Sequence, residues 1–266
     1  LDNIVAGLNY AAKSDARIIS LSLGSTSHTQ SMDDAVTNAV KAGKVVVVAA
    51  GNSGPNSKTI ACPADAAAAL TVGATDKSDV VASFSSRGPN RDGTIKPDLS
   101  APGKDIITTR ATGTNDGKAI ATYYLSMSGT SMATPMVAGA IANLLQKQPN
   151  LTPAQVKAIM EKTAKPLGSG VPNSNYGYGR ISIINAINYL DGKYTPPTTS
   201  PTPTPSVKPS PTVSPKPTVS PKPSPTPTPN PVYPGYPYPG YPYPGYPYPG
   251  YPYPGYPYPG YAEQSE

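Results

Sequence analysis

Two short segments of this chain carry residue types that could perform acyl transfer. In Gly129-Thr130-Ser131-Met132-Ala133-Thr134-Pro135 a serine stands where a glycine turn opens an apolar helical pattern. A serine at a helix N-terminus lies beside unpaired backbone N–H groups and the positive end of the helix dipole, surroundings that suit a developing oxyanion. Pro135 has no N–H and is tolerated only in a first turn, so the helix must begin close to Ser131. The second segment, Ala49-Ala50-Gly51-Asn52-Ser53-Gly54, follows a run of four valines. A side-chain amide there can donate a hydrogen bond to a transition-state oxyanion. Read singly, the first segment is also an ordinary helix cap and the second an ordinary turn.

Other reactive residue types are scarce. The single histidine, His28, sits in the polar stretch G-S-T-S-H-T-Q and reads as a loop residue. The single cysteine, Cys62, excludes an intrachain disulfide framework and a Cys-rich zinc site; it reads as a small buried apolar group.

Alternating helix and strand signals run through the first 194 residues and would place these segments. Asn3 to Lys13 carries Ile4, Val5, Leu8, Ala11 and Ala12 on one helical face, with Asp2 or Asn3 as its cap. Arg17 to Leu23 reads as a short β-branched strand. Ser31 to Ala42 has apolar residues at helix spacing, an S-M-D-D start and Gly43 at its end. K-V-V-V-V-A-A, from Lys44 to Ala50, is the continuous apolar run of a strand buried on both faces. Ala69 to Thr75, Ile106 to Arg110 and Ile120 to Met127 are expected strands. Met132 to Lys147 is a long core-facing helix, and T-P-A-Q at Thr152 starts another that ends before Pro166. Ile181 to Leu190 makes a last helix. The pattern implies an α/β fold, a mostly parallel sheet flanked by helices through right-handed crossovers.

Composition changes abruptly after Tyr194. Of 36 prolines, ten lie at or before Pro172 and 26 from Pro196 onward, so residues 1–194 can build one core and the remainder cannot. Residues 195–231 form a Pro/Thr/Ser linker expected to be extended polyproline II, and residues 232–266 a tail of P-Y-P-G-Y repeats. The tail could serve adhesion to a wall or polysaccharide, tyrosine-based association or oxidative cross-linking, or be a solvated spacer tip. The formal net charge of +6 is spread without a basic run, which argues against nucleic acid, and no apolar stretch approaches a membrane span. The chain opens inside a helical pattern without an initiator Met, so it is expected to be the C-terminal portion of something longer.

Taken in order, the motifs resemble the subtilisin-like serine proteases. They are S-L-S-L-G (Ser20 to Gly24), V-V-A-A-G-N-S-G (Val47 to Gly54), T-V-G-A-T-D (Thr71 to Asp76), F-S-S-R-G-P (Phe84 to Pro89), K-P-D-L-S-A-P-G (Lys96 to Gly103) and S-G-T-S-M-A-T-P, over essentially all of residues 1–194. The resemblance implies a serine endopeptidase acting on polypeptides, with Ser131 as nucleophile and Asn52 as the oxyanion-hole side chain. The N–H of Ser131 would be the second donor. It implies that Ser22, Leu23 and Gly24 pair with an extended substrate by strand addition. Ala49, Ala50 and Gly51 would face them, with Ala64 near the base of the specificity pocket. The family's order is Asp, His, Ser, yet His28 lacks the H-G-T-x-V-A setting and no aspartate has a catalytic one. The triad Asp and His are therefore expected upstream of Leu1. No cofactor is needed for the chemistry; structural calcium is expected in the longer protein, with a weaker cation site conceivable near Ala64 and Ala66. The resemblance also implies a secreted or surface-associated protein. Two other readings stand beside it: a family member that only binds, and a surface protein acting through its tail.

Overall fold

The computed structural model describes residues 2–111, 113–114 and 117–196. The linker and repeat tail from residue 197 onward lie outside the described residues.

Four strands run parallel in the order β1-β2-β3-β4: β1 (Ile18–Leu21), β2 (Val45–Ala49), β3 (Leu70–Thr75) and β4 (Leu99–Pro102). The valine run explains the sheet's two-sidedness. Successive side chains of a strand point to opposite faces. Val45 and Val47 accordingly enter one core with Leu70, Val72 and Leu99, and Val46 and Val48 enter the other. The first core is covered by α3 (Thr130–Lys147) and α4 (Pro153–Thr163) through Val137, Ile141, Leu144, Val156 and Met160. The second is covered by α1 (Asp2–Lys13) and α2 (Gln30–Lys41) through Leu8, Met32 and Val36. Each fully buried valine contributes about 1.5–3 kcal/mol relative to exposure, so the run holds both layers.

A smaller antiparallel sheet, β5-β7-β6, joins β5 (Ile106–Thr109), β6 (Lys118–Ala121) and β7 (Tyr124–Met127). α5 (Ile183–Leu190) packs onto the first core through Ala186.

Local signals placed the helices well. Thr152 and Gln155 form the expected capping box, with Pro153 beginning α4, and Gly43 follows α2 at φ +86°. Three expectations need correction. α2 starts one residue earlier than the S-M-D-D signal, with Thr29 as N-cap and no side-chain cap bond; its carbonyl accepts from Met32 N instead. Ile120 to Met127 is not one strand: the chain turns at Thr122-Tyr123 between β6 and β7, so Lys118 and Ser126 become partners. β4 gave no strand signal, being four residues with a serine and a proline, and exists because tertiary neighbours complete it. Ser100 N donates to the Gly179 carbonyl at 2.8 Å, and Ile181 N donates to the Ser100 carbonyl at 2.9 Å.

Because β1 and β2 are parallel, their carboxyl ends leave the sheet on one edge, and the N-terminus of α3 meets them there. In open α/β sheets this edge is where ligands bind.

Candidate active site

Gly129 caps α3, and its N–H donates to the Gly103 carbonyl at 2.8 Å, which fixes the turn against the exit of β4. Ser131 is the second helical residue and half-buried. Its Oγ lies 3.4 Å from the Ser22 carbonyl, and Ser22 Oγ donates to the Ser131 carbonyl at 2.9 Å. The end of β1 is thereby pinned to the first turn of α3. Among the described residues the N–H of Ser131 has no acceptor, as expected of a first-turn amide.

Asn52 is held from one side only. Its Oδ1 accepts from Thr130 N and from Thr130 Oγ1, both at 2.9 Å. Thr130 is buried and its Oγ1 also accepts from Gly51 N at 3.2 Å. With Oδ1 anchored, Nδ2 is aimed at the Gly129 turn, 3.4 Å from where a Cβ on Gly129 would stand, and it donates to no described group. Gly51 makes this bend at φ +106°, where a side chain would be strained and would meet Ser86 Oγ at 2.8 Å.

A cleft of about 220 Å³ opens between these segments, lined by Ser22, Leu23, Gly24, Ala49, Gly51, Asn52 and Ser131, together with Ser25, Thr26, Ser53, Ala61 and Thr130. Seven of the nine residues expected at a site thus share one cleft. Ala50 and Ala64 do not line it; both are fully buried behind it. Thr130 was missed, since nothing in helical spacing marks a threonine that holds an asparagine 78 residues away.

His28 bonds elsewhere. Its Nδ1 lies 2.9 Å from Asp65 Oδ2, its Nε2 lies 3.7 Å from Asp33 Oδ2, and it makes no hydrogen bond to Ser131. Next to Ala64 and Ala66, the Ala64 carbonyl accepts from Thr71 Oγ1, and Asp65 Oδ2 is engaged by His28 and Arg91.

Asp98, buried at the foot of β4, is structural. It accepts from Thr71 N at 2.6 Å, Lys96 Nζ at 2.7 Å and Lys157 Nζ at 2.8 Å. Burial alone would raise its carboxyl, but attraction to Lys96 and then Lys157 outweighs it and holds the group below the ordinary range. Burial also pulls the Lys96 ammonium below its usual value, with Asp98 opposing. The lowered carboxyl governs, because three donors converge on it. The unfolded chain titrates near ~3.9, so this contribution is complete above about pH 4 and is lost as pH falls through the lowered folded value. Asp98→Ala is expected to cost about 3–5 kcal/mol at neutral pH, since it leaves the buried Lys96 ammonium without its counter-charge and strips Lys157 of its nearer carboxylate. Urea unfolding of both proteins would show this, and the difference should shrink in acid.

The fold and cleft define an open parallel α/β protein with a polar cleft at the carboxyl ends of its strands. The chain belongs to the Subtilase family, whose family model matches residues 1–179. It is 42% identical to serine protease AprX of Bacillus subtilis (strain 168), across 64% of this chain and 42% of the relative. It is 38% identical to subtilisin BL of Lederbergia lenta, across 68% of this chain and 60% of the relative. The chain thus spans about half the length of the curated relatives it matches. Among solved structures it resembles sphericase, with a TM-score of 0.58 and 30% identity over 68% of this chain and 63% of the other. A lanthipeptide protease superposes with a TM-score of 0.62 at 25% identity, over 71% of this chain and 66% of the other. Among the described residues no helix is long and apolar enough to cross a membrane.

Proposed function

We propose that this chain is the serine-bearing part of a secreted or surface-associated serine endopeptidase. Ser131 Oγ attacks a peptide carbonyl of a polypeptide lying along Ser22, Leu23 and Gly24. The Oγ proton passes to a histidine oriented by an aspartate, both supplied by a segment outside these 266 residues. The carbonyl oxygen becomes an oxyanion held by Asn52 Nδ2 and the Ser131 N–H. Collapse expels the amine, which takes the proton, and leaves an ester on Ser131 that water hydrolyses. One observation carries this reading: Thr130 saturates Asn52 Oδ1, which leaves the amide donor free beside the Gly129 turn, in the cleft that Ser131 also lines. The Pro-rich linker and repeat tail are proposed to attach the enzyme to a wall or surface.

The test joins residues 1–266 to a segment supplying Asp and His in the family's order. A slow ester substrate should then leave its acyl group on the tryptic peptide containing Ser131, and Ser131→Ala should abolish it. Acylation confined to another residue would overturn the assignment.

A further inference from the structure

Outside the cleft, the structure gathers the single histidine and the single cysteine of the chain around a buried carboxylate. His28 Nδ1 or Nε2, Cys62 Sγ and an Asp65 carboxylate oxygen lie within 4.8 Å of one another. Their positions in sequence are unrelated. They meet because Cys62 pairs with Ser25, N–H to carbonyl in both directions at 2.8 and 2.9 Å, which carries the loop after β1 across the Cys62-Pro63-Ala64 turn. We propose that His28, Cys62 and Asp65 form a binding site for a thiophilic divalent cation, zinc in the first instance.

The chemistry of the donor set selects the metal. Thiolate, imidazole and carboxylate together suit borderline-soft Zn²⁺ and not Ca²⁺ or Mg²⁺, which take oxygen ligands. Zinc bonds of about 2.0–2.3 Å place tetrahedral ligands roughly 3.3–3.8 Å apart, so the trio needs only a small closure. Cys62 is 3% exposed and Asp65 6%, while His28 is half-buried, which leaves a fourth position for water on the histidine side.

Two further observations point to a ligand. Asp65 Oδ2 is occupied by His28 and by Arg91 Nε at 3.2 Å, but Asp65 Oδ1 is buried with no partner. A buried carboxylate oxygen left unpaired is costly unless something fills the place. Asp33 stands behind the ring, its Oδ2 3.7 Å from His28 Nε2 and its own Oδ1 likewise buried and unpartnered. A carboxylate on the second ring nitrogen fixes the tautomer and orientation of a metal-ligating histidine. Nδ1 then faces the metal, and Asp33 Oδ2, 3.7 Å from Nε2, comes within hydrogen-bond reach as the site closes. The Arg91 side chain is more than half exposed and keeps Asp65 Oδ2 or swings to solvent.

The competing reading is a reactive thiol. Burial pushes the Cys62 thiol up to about 11, so it is no nucleophile in the absence of a cation. Metal binding forms the Zn–S, Zn–N and Zn–O bonds and releases the thiol proton to water, with no change of oxidation state. The site lies on the loop whose Ser22 to Ser25 line the cleft, so occupancy stiffens one wall of that cleft.

The experiment titrates the untagged 266-residue chain with Co²⁺ and then displaces it with Zn²⁺ against a chromophoric chelator. One equivalent of Co²⁺ should produce a thiolate-to-cobalt charge-transfer band and visible bands of tetrahedral intensity, both lost on adding Zn²⁺. Cys62→Ser should abolish the charge-transfer band and, like His28→Gln, weaken Zn²⁺ binding at least 100-fold. Asp33→Asn should keep the band yet weaken Zn²⁺ about 10–100-fold, the range for loss of an outer carboxylate. That variant tests the site even if a change at buried Cys62 disturbs folding. No charge-transfer band at one equivalent, or Zn²⁺ affinity equal in the parent chain, Cys62→Ser and His28→Gln, would overturn the proposal. The result is independent of peptidase activity, so it stands or falls apart from the role of Ser131.

Discussion

Residues 1–266 alone are expected neither to hydrolyse a peptide nor to label with a serine-directed phosphonate. Among the described residues Ser131 Oγ has only the Ser22 carbonyl nearby, at 3.4 Å, and a carbonyl cannot take its proton. The only histidine of the 266 residues is bonded to Asp65 and stands beside Asp33. Without a base the hydroxyl stays protonated at neutral pH and is a weak nucleophile. In subtilisin, a member of this same family, loss of the catalytic histidine costs about 10⁶ in turnover, and that borrowed figure sets the scale. Joining the chain to a segment bearing the Asp and His should restore stoichiometric labelling at Ser131. Labelling of the isolated chain would refute the expectation, and its loss in His28→Ala would identify the base. Failure of the joined chain to label would instead favour a family member that only binds.

Asn52→Leu in the joined chain should lower turnover and leave the Michaelis constant little changed. The amide donor acts on charge that exists only in the transition state, so ground-state binding is not its business. The size expected, about 10²–10³, is again taken from subtilisin, where this type of donor was removed. The structure adds a graded companion. Thr130→Val removes the Oγ1–H that helps hold Asn52 Oδ1 and the oxygen that accepts from Gly51 N, while the Thr130 N–H still bonds Oδ1. Loss of about 1 kcal/mol of orientation corresponds to roughly a fivefold fall in turnover. Thr130→Ser should be nearly silent. Steady-state kinetics on one small peptide substrate separates all three, and an unchanged turnover in Asn52→Leu removes Asn52 from the role.

The elements that could be read from residues alone are those whose information is local. β2 declares itself as an unbroken valine run because both of its faces are buried, and α3 and α4 declare themselves by apolar stripes and caps that act over a single turn. Ser131 and Asn52 were legible as chemistry for the same reason: each lies at the end of a strongly patterned element, and their motifs are contiguous. β4 was not, because a four-residue strand acquires its hydrogen bonds from segments such as Gly179 and Ile181 that lie far along the chain. The β6–β7 turn is local but was missed because Thr122 and Tyr123 are not residues that mark turns. The orientation of Asn52 by Thr130 spans 78 residues, the tie between Ser22 and Ser131 spans 109, and the meeting of His28 with Asp65 spans 37. Periodicity and capping carry no information over such separations. Only the parallel register of β1 and β2, and the packing of α3 beneath their ends, decides which side chains face one another.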